Sequence, residues 1–345
     1  MKILVLNAGS SSLKCRCDEI NGPPSSHPPA PAWEASAEWT GNDPVEALLR
    51  SAPRGIDVVG HRIVHGGTIR ETSLLTEEVR RAIDAVSTIA PAHNRRALEV
   101  IDAARRFFGD RIPHFGVFDT AFHATIPPAA HVYPGPYRWF EEGIRRFGFH
   151  GIAHQYAARR AAEELGGEPR PMRIVTCHLG NGASLAAVRG GQCVDTTMGF
   201  TPLEGLMMGT RSGSIDPGIV VHLLRRHGYT ADELDTLLNC ESGLLGVSGV
   251  SADMREVLAA IEQDSARARL AFDIYAHRLV REIGGMVAVL GGLDALVFTG
   301  GIGEHCAALR ERAAESLAFL RPRILVVRAE EEWEIARECW RLAAA

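Results

Sequence analysis

The chain has 345 residues, enough for two domains of ordinary size. Its charged (23%) and hydrophobic (46%) fractions are typical of a globular protein. A net charge of −5 and a pI near 6.3 argue against nucleic acid or an anionic membrane as the main partner. The start, MKILVL, is too short for a signal-peptide core, and the long apolar run 283–301 contains Asp294 and six glycines. We therefore expect a soluble, cytoplasmic protein.

The seven cysteines are scattered and include no CxxC pair, which indicates reduced thiols and argues against a disulfide framework or a zinc site. The first predicted strand, KILVL (2–6), leads into NAGSSSLK (7–14). A Gly/Ser turn after a buried strand presents backbone N–H groups and hydroxyls together, which favours a phosphate-binding loop. Asn7 is a candidate metal or phosphate ligand, Ser10 and Ser12 are candidate donors, and Lys14 adds positive charge. The alternative is a serine-rich hairpin turn.

Two later strands run into ionisable residues. IDVVGHRIVHGG (56–67) predicts a buried strand over 56–59 that leads to Arg62, and HFGVFDTAFH (114–123) places Asp119 at a strand end. Open α/β sheets bind ligands at the carboxyl ends of their strands, so Arg62 and Asp119 are candidate site residues. The proline-rich residues 21–44 predict an irregular loop.

Residues 195–217, DTTMGFTPLEGLMMGTRSGSIDP, combine interrupting glycines and a proline with several large apolar side chains. This composition excludes a regular helix or strand but favours a packed loop, and long loops in compact domains are usually functional. The segment carries a single cationic residue, Arg211, which lies among small residues. We interpret it as an active-site loop that holds Arg211 over an anion; the alternative is a structural crossover with an incidental surface arginine.

Glycine-rich elements follow three more predicted strands or turns. His150 lies in FGFHG where a helix begins, and LGNGAS (179–184) separates two strands, as NAGSSS does near the start. This weak internal echo suggests a duplicated architecture with one phosphate loop in each domain. In FTGGIGEH (298–305) the glycines would let a nucleotide lie against the backbone. The glutamates 330–332 either complement a helix dipole or direct a carboxylate at a metal.

Eight motifs occur in one order along nearly the whole chain: NAGSSSLK, GHRIVHGG, FDTAFH, FGFHG, CHLGNGAS, MGFTPLEGLMMGTRSG followed by IDP, SGLLGVSG and FTGGIGE. In this order they resemble the acetate kinases of the acetate and sugar kinase superfamily. The resemblance implies an α/β, duplicated actin-like (ribonuclease H-like) fold with mixed sheets and an interdomain ATP cleft. Its domains would be 1–125 with a returning helix in 329–345, and 126–328.

The same resemblance implies reversible phosphoryl transfer between ATP and acetate, giving acetyl phosphate and ADP. It implies Mg²⁺ as cofactor, with Mn²⁺ as a substitute, direct in-line transfer, and a homodimer without nucleic-acid or membrane partners.

Residue by residue, the resemblance carries the family's roles onto this chain. The catalytic group would be Arg62, Asp119, His150 and Arg211. The carboxylate substrate would be bound by Arg62, Val64, Ala92, Phe149 and Pro202. The nucleotide would be bound by Ser10, Ser12, Lys14, His178, Gly180, Asn181, Gly182, Asp253, Met254, Arg255, Gly301, Ile302, Gly303 and Glu304. The metal would be bound by Asn7 and Glu331.

The chain departs from the family pattern at several places. Ala92 stands where leucine is usual, so we expect a larger substrate pocket, unless Arg95 or Arg96, which replace a Pro-Pro pair, fills it. His305 replaces the asparagine that the family usually has after GIGE. Segments 18–55 and 306–325 are shorter than the corresponding segments of the family. The eight motifs still favour an acetate kinase. Two alternatives remain open: a kinase of propionate or another short-chain acid, and a non-catalytic nucleotide-binding relative.

Overall fold

A computed structural model describes residues 1–9, 12–39, 45–87, 91–109, 111–166 and 171–345, and for residues 91 and 92 it describes the backbone only. The strands are β1 Lys2–Ala8, β2 Ser12–Glu19, β3 Trp33–Glu38, β4 Val58–Ile63, β5 Ser73–Leu74, β6 His114–Phe118, β7 Arg173–Leu179, β8 Ala183–Arg189, β9 Gln192–Thr196, β10 Ala295–Thr299 and β11 Arg323–Val326. The α-helices are α1 Val45–Ser51, α2 Glu77–Ala85, α3 Pro91–Phe108, α4 Pro128–His131, α5 Arg138–Glu141, α6 Gly151–Glu164, α7 Pro217–Arg226, α8 Ala231–Cys240, α9 Gly243–Ser248, α10 Met254–Glu262, α11 Ala266–Leu290, α12 Gly300–His305, α13 Ala307–Ser316 and α14 Glu331–Ala343. Within these described ranges, no helix combines the length and the apolar character needed to cross a membrane.

The chain divides into two compact units. Unit 1 comprises residues 1–124, 149–156 and 330–345, and unit 2 comprises residues 125–148 and 157–329. The domain limits implied by the family resemblance stay a prediction.

Unit 1 contains a six-stranded sheet in the order β3-β2-β1-β4-β6-β5. Strands β1, β2 and β3 form an antiparallel meander, whereas β4 and β6 run parallel to β1. The carboxyl ends of β1, β4 and β6 therefore meet at one edge of the sheet. Asn7, Arg62 and Asp119 lie at these three ends or directly after them.

Unit 2 contains a five-stranded sheet in the order β11-β10-β7-β8-β9. Strands β7, β8 and β9 form an antiparallel meander, and β10 and β11 run parallel to β7. This repeats the arrangement of β1, β2 and β3 with β4 and β6, so the duplicated architecture suggested by the NAGSSS and LGNGAS echo is confirmed. The carboxyl ends of β7 and β10 lead into the two glycine-rich turns.

Helix α14 packs on the sheet of unit 1 through a close approach at Gly60 of β4. A Cβ atom at Gly60 would lie 2.6 Å from the Cys339 sulfur and 3.0 Å from a methyl carbon of Ile335. Trp333, Ile335 and Cys339 are at most 1% exposed, so the helix buries a continuous apolar face. This packing fixes the first turn of α14, with its glutamates, near the end of β4.

Two local predictions are wrong. Strand β4 covers Val58–Ile63, so His61 and Arg62 lie within the strand and not after it. Residues 21–44 contain β3, in which Trp33, Ala35 and Ala37 alternate with more exposed residues. The prolines around β3 concealed this two-residue period.

All seven cysteines are free thiols. Six are buried, and burial raises the pKa of Cys15 to about 12 and that of Cys17 to about 11. Cys240, the last residue of α8, is exposed.

Candidate active site

Arg62 is the centre of a polar cluster in unit 1. Its Nε and Nη2 atoms donate to the two Asp119 carboxylate oxygens at 3.3 and 2.9 Å. Its Nη1 atom lies 2.9 Å from Glu331 Oε2 and donates to Asn7 Oδ1 at 3.1 Å. The Arg62 side chain is 13% exposed and that of Asp119 is 1% exposed. Four of the residues assigned by family resemblance therefore come together in space.

The environment changes the acidity of this cluster. Burial lowers the pKa of Arg62, but the neighbouring Asp119 and Glu331 carboxylates raise it more, so the net shift is upward. Burial also raises the pKa of Asp119 to about 6, although Arg62 and the backbone N–H of His150 favour the ionised form. Asp119 holds the Nε–Nη2 edge of the Arg62 guanidinium and is suited to orienting it.

The glutamates at the start of α14 provide oxygen atoms beside Asn7. The Asn7 amide Nδ2 donates to Glu332 Oε1 at 2.7 Å and lies 3.4 Å from Glu331 Oε2. The family resemblance assigned Glu331 to the metal but not Glu332, although the run of three glutamates, 330–332, also predicted a metal-directed carboxylate. These carboxylate and amide oxygens fit the ligand preference of Mg²⁺, which is usually held by one or two carboxylates together with waters and substrate phosphates. Among the described residues, no three His, Cys, Asp or Glu side chains are grouped as a complete metal site.

His150 has a backbone conformation that few non-glycine residues adopt. Its φ is +56°, in the left-handed region, immediately before α6. The next residue, Gly151, donates its N–H to the Asp119 carbonyl at 2.9 Å, and a Cβ atom there would lie 2.1 Å from the same oxygen. The backbone is therefore held against Asp119. Strained conformations held in this way cluster at functional sites, which supports the assignment of His150.

Two of the predicted substrate-pocket residues of unit 1, Val64 and Phe149, lie beside His65. Val64 is its neighbour in the chain, and the Phe149 ring meets the His65 ring edge-on at a centroid distance of 5.4 Å. Asn94 of α3 accepts a hydrogen bond from the His65 N–H at 3.1 Å and donates to the His65 carbonyl at 2.9 Å. The side chain of Ala92 lies outside the described residues, but its backbone belongs to the first turn of α3.

Arg96 makes contacts of its own. Its guanidinium lies 4.9 Å from the centroid of the Trp39 ring, and its Nη1 atom lies 3.1 Å from Glu99 Oε2. These partners already occupy the Arg96 side chain, which weakens the idea that it fills space beside Ala92. Arg95 is exposed.

Arg211 lies in unit 2, in the irregular segment between β9 and α7 that the sequence predicted. Its Nη1 atom donates to the Pro202 carbonyl at 3.2 Å and lies 3.8 Å from the sulfur of Met208. The side chain is partly buried, and burial lowers its pKa. Over the described parts of the chain, no carboxylate forms an ion pair with Arg211, whereas Arg62 has two. The Arg211 guanidinium is therefore a desolvated cation suited to binding an anionic ligand.

A separate cavity of about 630 Å³ opens in unit 2 at the ends of β7 and β10. Its walls combine the LGNG turn, the start of α10 and the glycine turn after β10. It is lined by Gly180, Asn181, Ser251, Ala252, Asp253, Met254, Arg255, Leu258, Gly301, Ile302, His305 and Cys306. Seven of these match the residues assigned to the nucleotide, and the volume suits a ligand of nucleotide size.

The remaining assigned positions lie elsewhere. His178 is on β7, Gly182 accepts the Gly180 N–H, and Gly303 is buried in α12. Glu304 accepts the backbone N–H groups of Gly300 and Ala329 at 3.0 and 2.9 Å, so it holds the glycine turn in place. Ser12 and Lys14 are on β2 of unit 1, and Ser10 lies outside the described residues. Their roles toward the nucleotide stay predictions.

Comparison with known proteins agrees with the motifs. The model of the acetokinase family matches residues 44–325. An acetate kinase from Gloeobacter violaceus is 48% identical over 400 aligned positions that cover 99% of each chain. The alignment is longer than the 345 residues, so this relative carries residues that the chain lacks.

Solved structures give the same result. The crystal structure of Porphyromonas gingivalis acetate kinase has a TM-score of 0.88 at 34% identity, and that of a propionate kinase from Francisella tularensis has a TM-score of 0.87 at 32% identity. Each comparison covers 99% of both chains. The duplicated two-unit α/β fold expected from the sequence is thus confirmed. This chain belongs to the acetokinase family and is a phosphotransferase.

Proposed function

We propose that this enzyme transfers the γ-phosphoryl group of ATP reversibly to acetate, giving acetyl phosphate and ADP by direct in-line displacement. The observation that carries the proposal is the cluster of Asn7, Arg62, Asp119 and Glu331 at the carboxyl ends of β1, β4 and β6. The family match and the names of the relatives support acetate as the acceptor.

The residue types suit a carboxylate nucleophile. With a pKa of about 4, judged from Asp and Glu side chains, a carboxylic acid is already ionised near pH 7 and needs no general base. The enzyme must instead offset the repulsion between this anion and ATP and stabilise charge on the transferring phosphoryl oxygens. Arg62 and Arg211 supply positive charge, and His150 supplies a hydrogen bond. Asp119 then orients Arg62 and does not remove a proton.

Arg211 supports the proposal through its lack of an ionic partner among the described residues. A partly buried guanidinium without a carboxylate is unfavourable in the free enzyme, and an anionic ligand relieves this cost. Its planar fork matches two oxygens of a carboxylate or phosphoryl group. We infer that Arg211 binds the acceptor carboxylate and then the transferring group.

Asn7, Glu331 and Glu332 are the residues that would hold Mg²⁺, which when bound neutralises phosphate charge. In the present arrangement Arg62 pairs with Glu331, and the Asn7 amide donates to Glu332. The three side chains are thus held near one another by hydrogen bonds before any phosphate arrives.

A second candidate acceptor is propionate. The propionate kinase from Francisella tularensis is about as similar in structure as the acetate kinase from Porphyromonas gingivalis. The small residue at position 92 also favours a longer acid.

A coupled assay of ADP formation with acetate, propionate and butyrate tests the proposal. We expect Mg²⁺-dependent turnover with at least one of these acids, and a rise in melting temperature when ATP is added. Excess EDTA should abolish turnover. A folded enzyme that binds ATP and phosphorylates none of these acids would instead support a non-catalytic relative, and turnover unchanged in EDTA would count against the metal assignment.

We also infer that the enzyme forms a homodimer and that α7 contributes to the dimer surface. This helix has no buried residue, and its apolar Ile219, Val221 and Leu224 are 46%, 43% and 42% exposed. Exposed large apolar side chains on a helix that buries none of its residues are a feature of association surfaces. Light scattering after gel filtration should give a dimer for the wild type and a monomer for Val221→Arg. A monomeric wild type would contradict the inference.

A further inference from the structure

Residues 196–205, here called the Pro202 segment, are held at both ends by one side chain, that of Arg146. Its Nη1 atom donates to three successive carbonyls, those of Thr196, Thr197 and Met198, at 3.1, 3.0 and 3.0 Å. Its Nη2 atom donates to Glu204 Oε1 at 2.6 Å. An irregular segment lacks the repeating hydrogen bonds of a helix or strand, so these four bonds replace them.

Tyr133 fixes the middle of the same segment. Its hydroxyl donates to the Glu204 carboxylate and accepts the Phe200 N–H at 2.9 Å. Burial, followed by the hydrogen bond to Glu204, raises the pKa of Tyr133, so the hydroxyl remains a donor at neutral pH. A Cβ atom at Gly199 would lie 1.6 Å from Glu204 Oε2, so the carboxylate packs directly against the backbone.

The Pro202 segment in turn contacts the turn that carries Arg211. The Pro202 carbonyl accepts a hydrogen bond from Arg211 Nη1 at 3.2 Å. Gly205 and Ser214 exchange two hydrogen bonds, from Gly205 N to Ser214 Oγ at 3.0 Å and from Ser214 N to the Gly205 carbonyl at 2.9 Å. Since Arg211 has no ionic partner in the described structure, the Pro202 carbonyl is the main polar contact that orients its guanidinium.

We propose that Arg146, Glu204 and Tyr133 form a positioning network that sets the Arg211 guanidinium for phosphoryl transfer, acting through the Pro202 carbonyl. The inference rests on the proposed function and assigns none of the three residues a contact with the ligand. They act on the reaction through the Pro202 segment, whose Pro202 carbonyl orients Arg211.

Arg146→Lys is the first test variant, because lysine keeps the charge but cannot bond three carbonyls and Glu204 together. Arg173→Lys is the matched control. Arg173 is also in unit 2, also forms a two-pronged ion pair, with Asp294, and also donates to a backbone carbonyl, that of Gly291 at 2.8 Å. Both substitutions remove a guanidinium that forms several hydrogen bonds, but only Arg146 contacts the Pro202 segment.

Misplacing a catalytic group by about 1 Å can cost about a hundredfold in rate, so we expect kcat/KM for the carboxylate to fall about 10- to 100-fold in Arg146→Lys and in Glu204→Gln. The dissociation constant for ATP should stay within about twofold of the wild type, because the network lines no part of the nucleotide cavity. Arg173→Lys should lower the melting temperature yet keep kcat. Equal kinetic losses in Arg146→Lys and Arg173→Lys would overturn the proposal.

A double-mutant cycle with Arg211→Lys separates positioning from general damage. If the network acts through Arg211, adding Arg146→Lys to Arg211→Lys should reduce kcat/KM by less than about twofold further. Full additivity of the two losses would overturn the proposal. If Arg146→Lys does not fold, Tyr133→Phe is the alternative variant, because it removes only one oxygen atom. Near-normal activity in Tyr133→Phe would also overturn the proposal.

Assays of the wild type and the network variants distinguish failure of the proposed function from failure of the positioning role. An enzyme that phosphorylates none of the short carboxylates refutes the proposed function. An active enzyme whose network variants keep full kcat/KM refutes the positioning role alone.

Discussion

Arg62 and Glu331 come from opposite ends of the chain, and their side chains form an ion pair with an Nη1–Oε2 distance of 2.9 Å. Asp119 holds the other side of the same guanidinium. Arg62 therefore stabilises unit 1 and is also a predicted substrate ligand. Substitutions at this position should affect both properties.

We predict that Arg62→Ala lowers the stability of the enzyme as well as its activity. It leaves two nearly buried carboxylates without their cation, a change that typically costs about 3–5 kcal/mol. Urea unfolding measures the loss. Arg50→Ala serves as the control, because the Arg50–Glu46 pair of unit 1 is 72% and 67% exposed and should contribute no measurable stability. An Arg62→Ala variant of wild-type stability would contradict the role of the ion pairs.

Arg62→Lys should keep a positive charge near both carboxylates but lose the two-pronged bond to Asp119. We expect kcat/KM to fall by about a hundredfold, the typical cost of removing one well-placed donor. Steady-state kinetics of the purified variant checks this expectation.

Arg211→Ala should behave differently. It removes a desolvated cation with no ionic partner among the described residues, so the melting temperature should stay the same or rise while kcat falls at least about a hundredfold. Differential scanning fluorimetry and the coupled assay measure the two effects. A folded variant with near-normal turnover would remove Arg211 from the catalytic group.

The pH dependence should follow Asp119. Its pKa of about 6 means that the orienting carboxylate becomes protonated as the pH falls through this value, so kcat/KM should drop on the acid side. In Asp119→Asn, activity should be low at every pH and this acid limb should disappear. A limb near pH 6 that persists in the variant would identify another group.

The raised pKa of Asp119 should also affect the free energy of unfolding, and in the opposite direction: acid lowers kcat/KM but increases this contribution to stability. Because the folded pKa of Asp119 lies above the unfolded value of about 3.9, the folded state binds a proton more tightly. This contribution to stability is fully present below the unfolded pKa and is lost as the pH rises through about 6. Urea unfolding of the wild type and Asp119→Asn at pH 5 and pH 7 measures the difference.

The substrate preference should depend on position 92. A leucine at this position would add about three buried carbons, and each buried carbon is worth roughly 0.8 kcal/mol. The extra carbon of propionate can fill part of the space that the alanine leaves. Its kcat/KM should therefore be about fourfold higher than in an enzyme with leucine at this position. We expect acetate and propionate to react within about tenfold of each other, since apolar pockets discriminate a methylene by only about 1–3 kcal/mol. Ala92→Leu should shift the preference toward acetate. An unchanged ratio would mean that Ala92 does not face the substrate.

The sequence predicted the parts of the fold that depend on local pattern. The strand before Asp119, the hairpin of β7 and β8 and the irregular segment around Arg211 all follow from glycine positions and apolar periodicity. Strand β3 was missed because prolines flank a weak alternation.

Contacts between distant polar side chains were not predictable from such patterns. The bond from Asn7 to Glu332, the two bonds between Asn94 and His65 and the four bonds of Arg146 each join residues far apart in sequence. The packing of strands, helices and loops brings them together, and no local period encodes that packing. The catalytic and binding roles of the site residues stay predictions.

The native enzyme can be labelled at a single site, because only one of its seven cysteines is exposed. A maleimide dye should modify Cys240 alone, because the other six thiols are buried. The neighbouring Asn239 carbonyl accepts the Thr210 hydroxyl at 2.8 Å, immediately before Arg211 in the chain. A fluorophore on Cys240 should therefore report movement of the Arg211 turn during turnover, without any engineered cysteine.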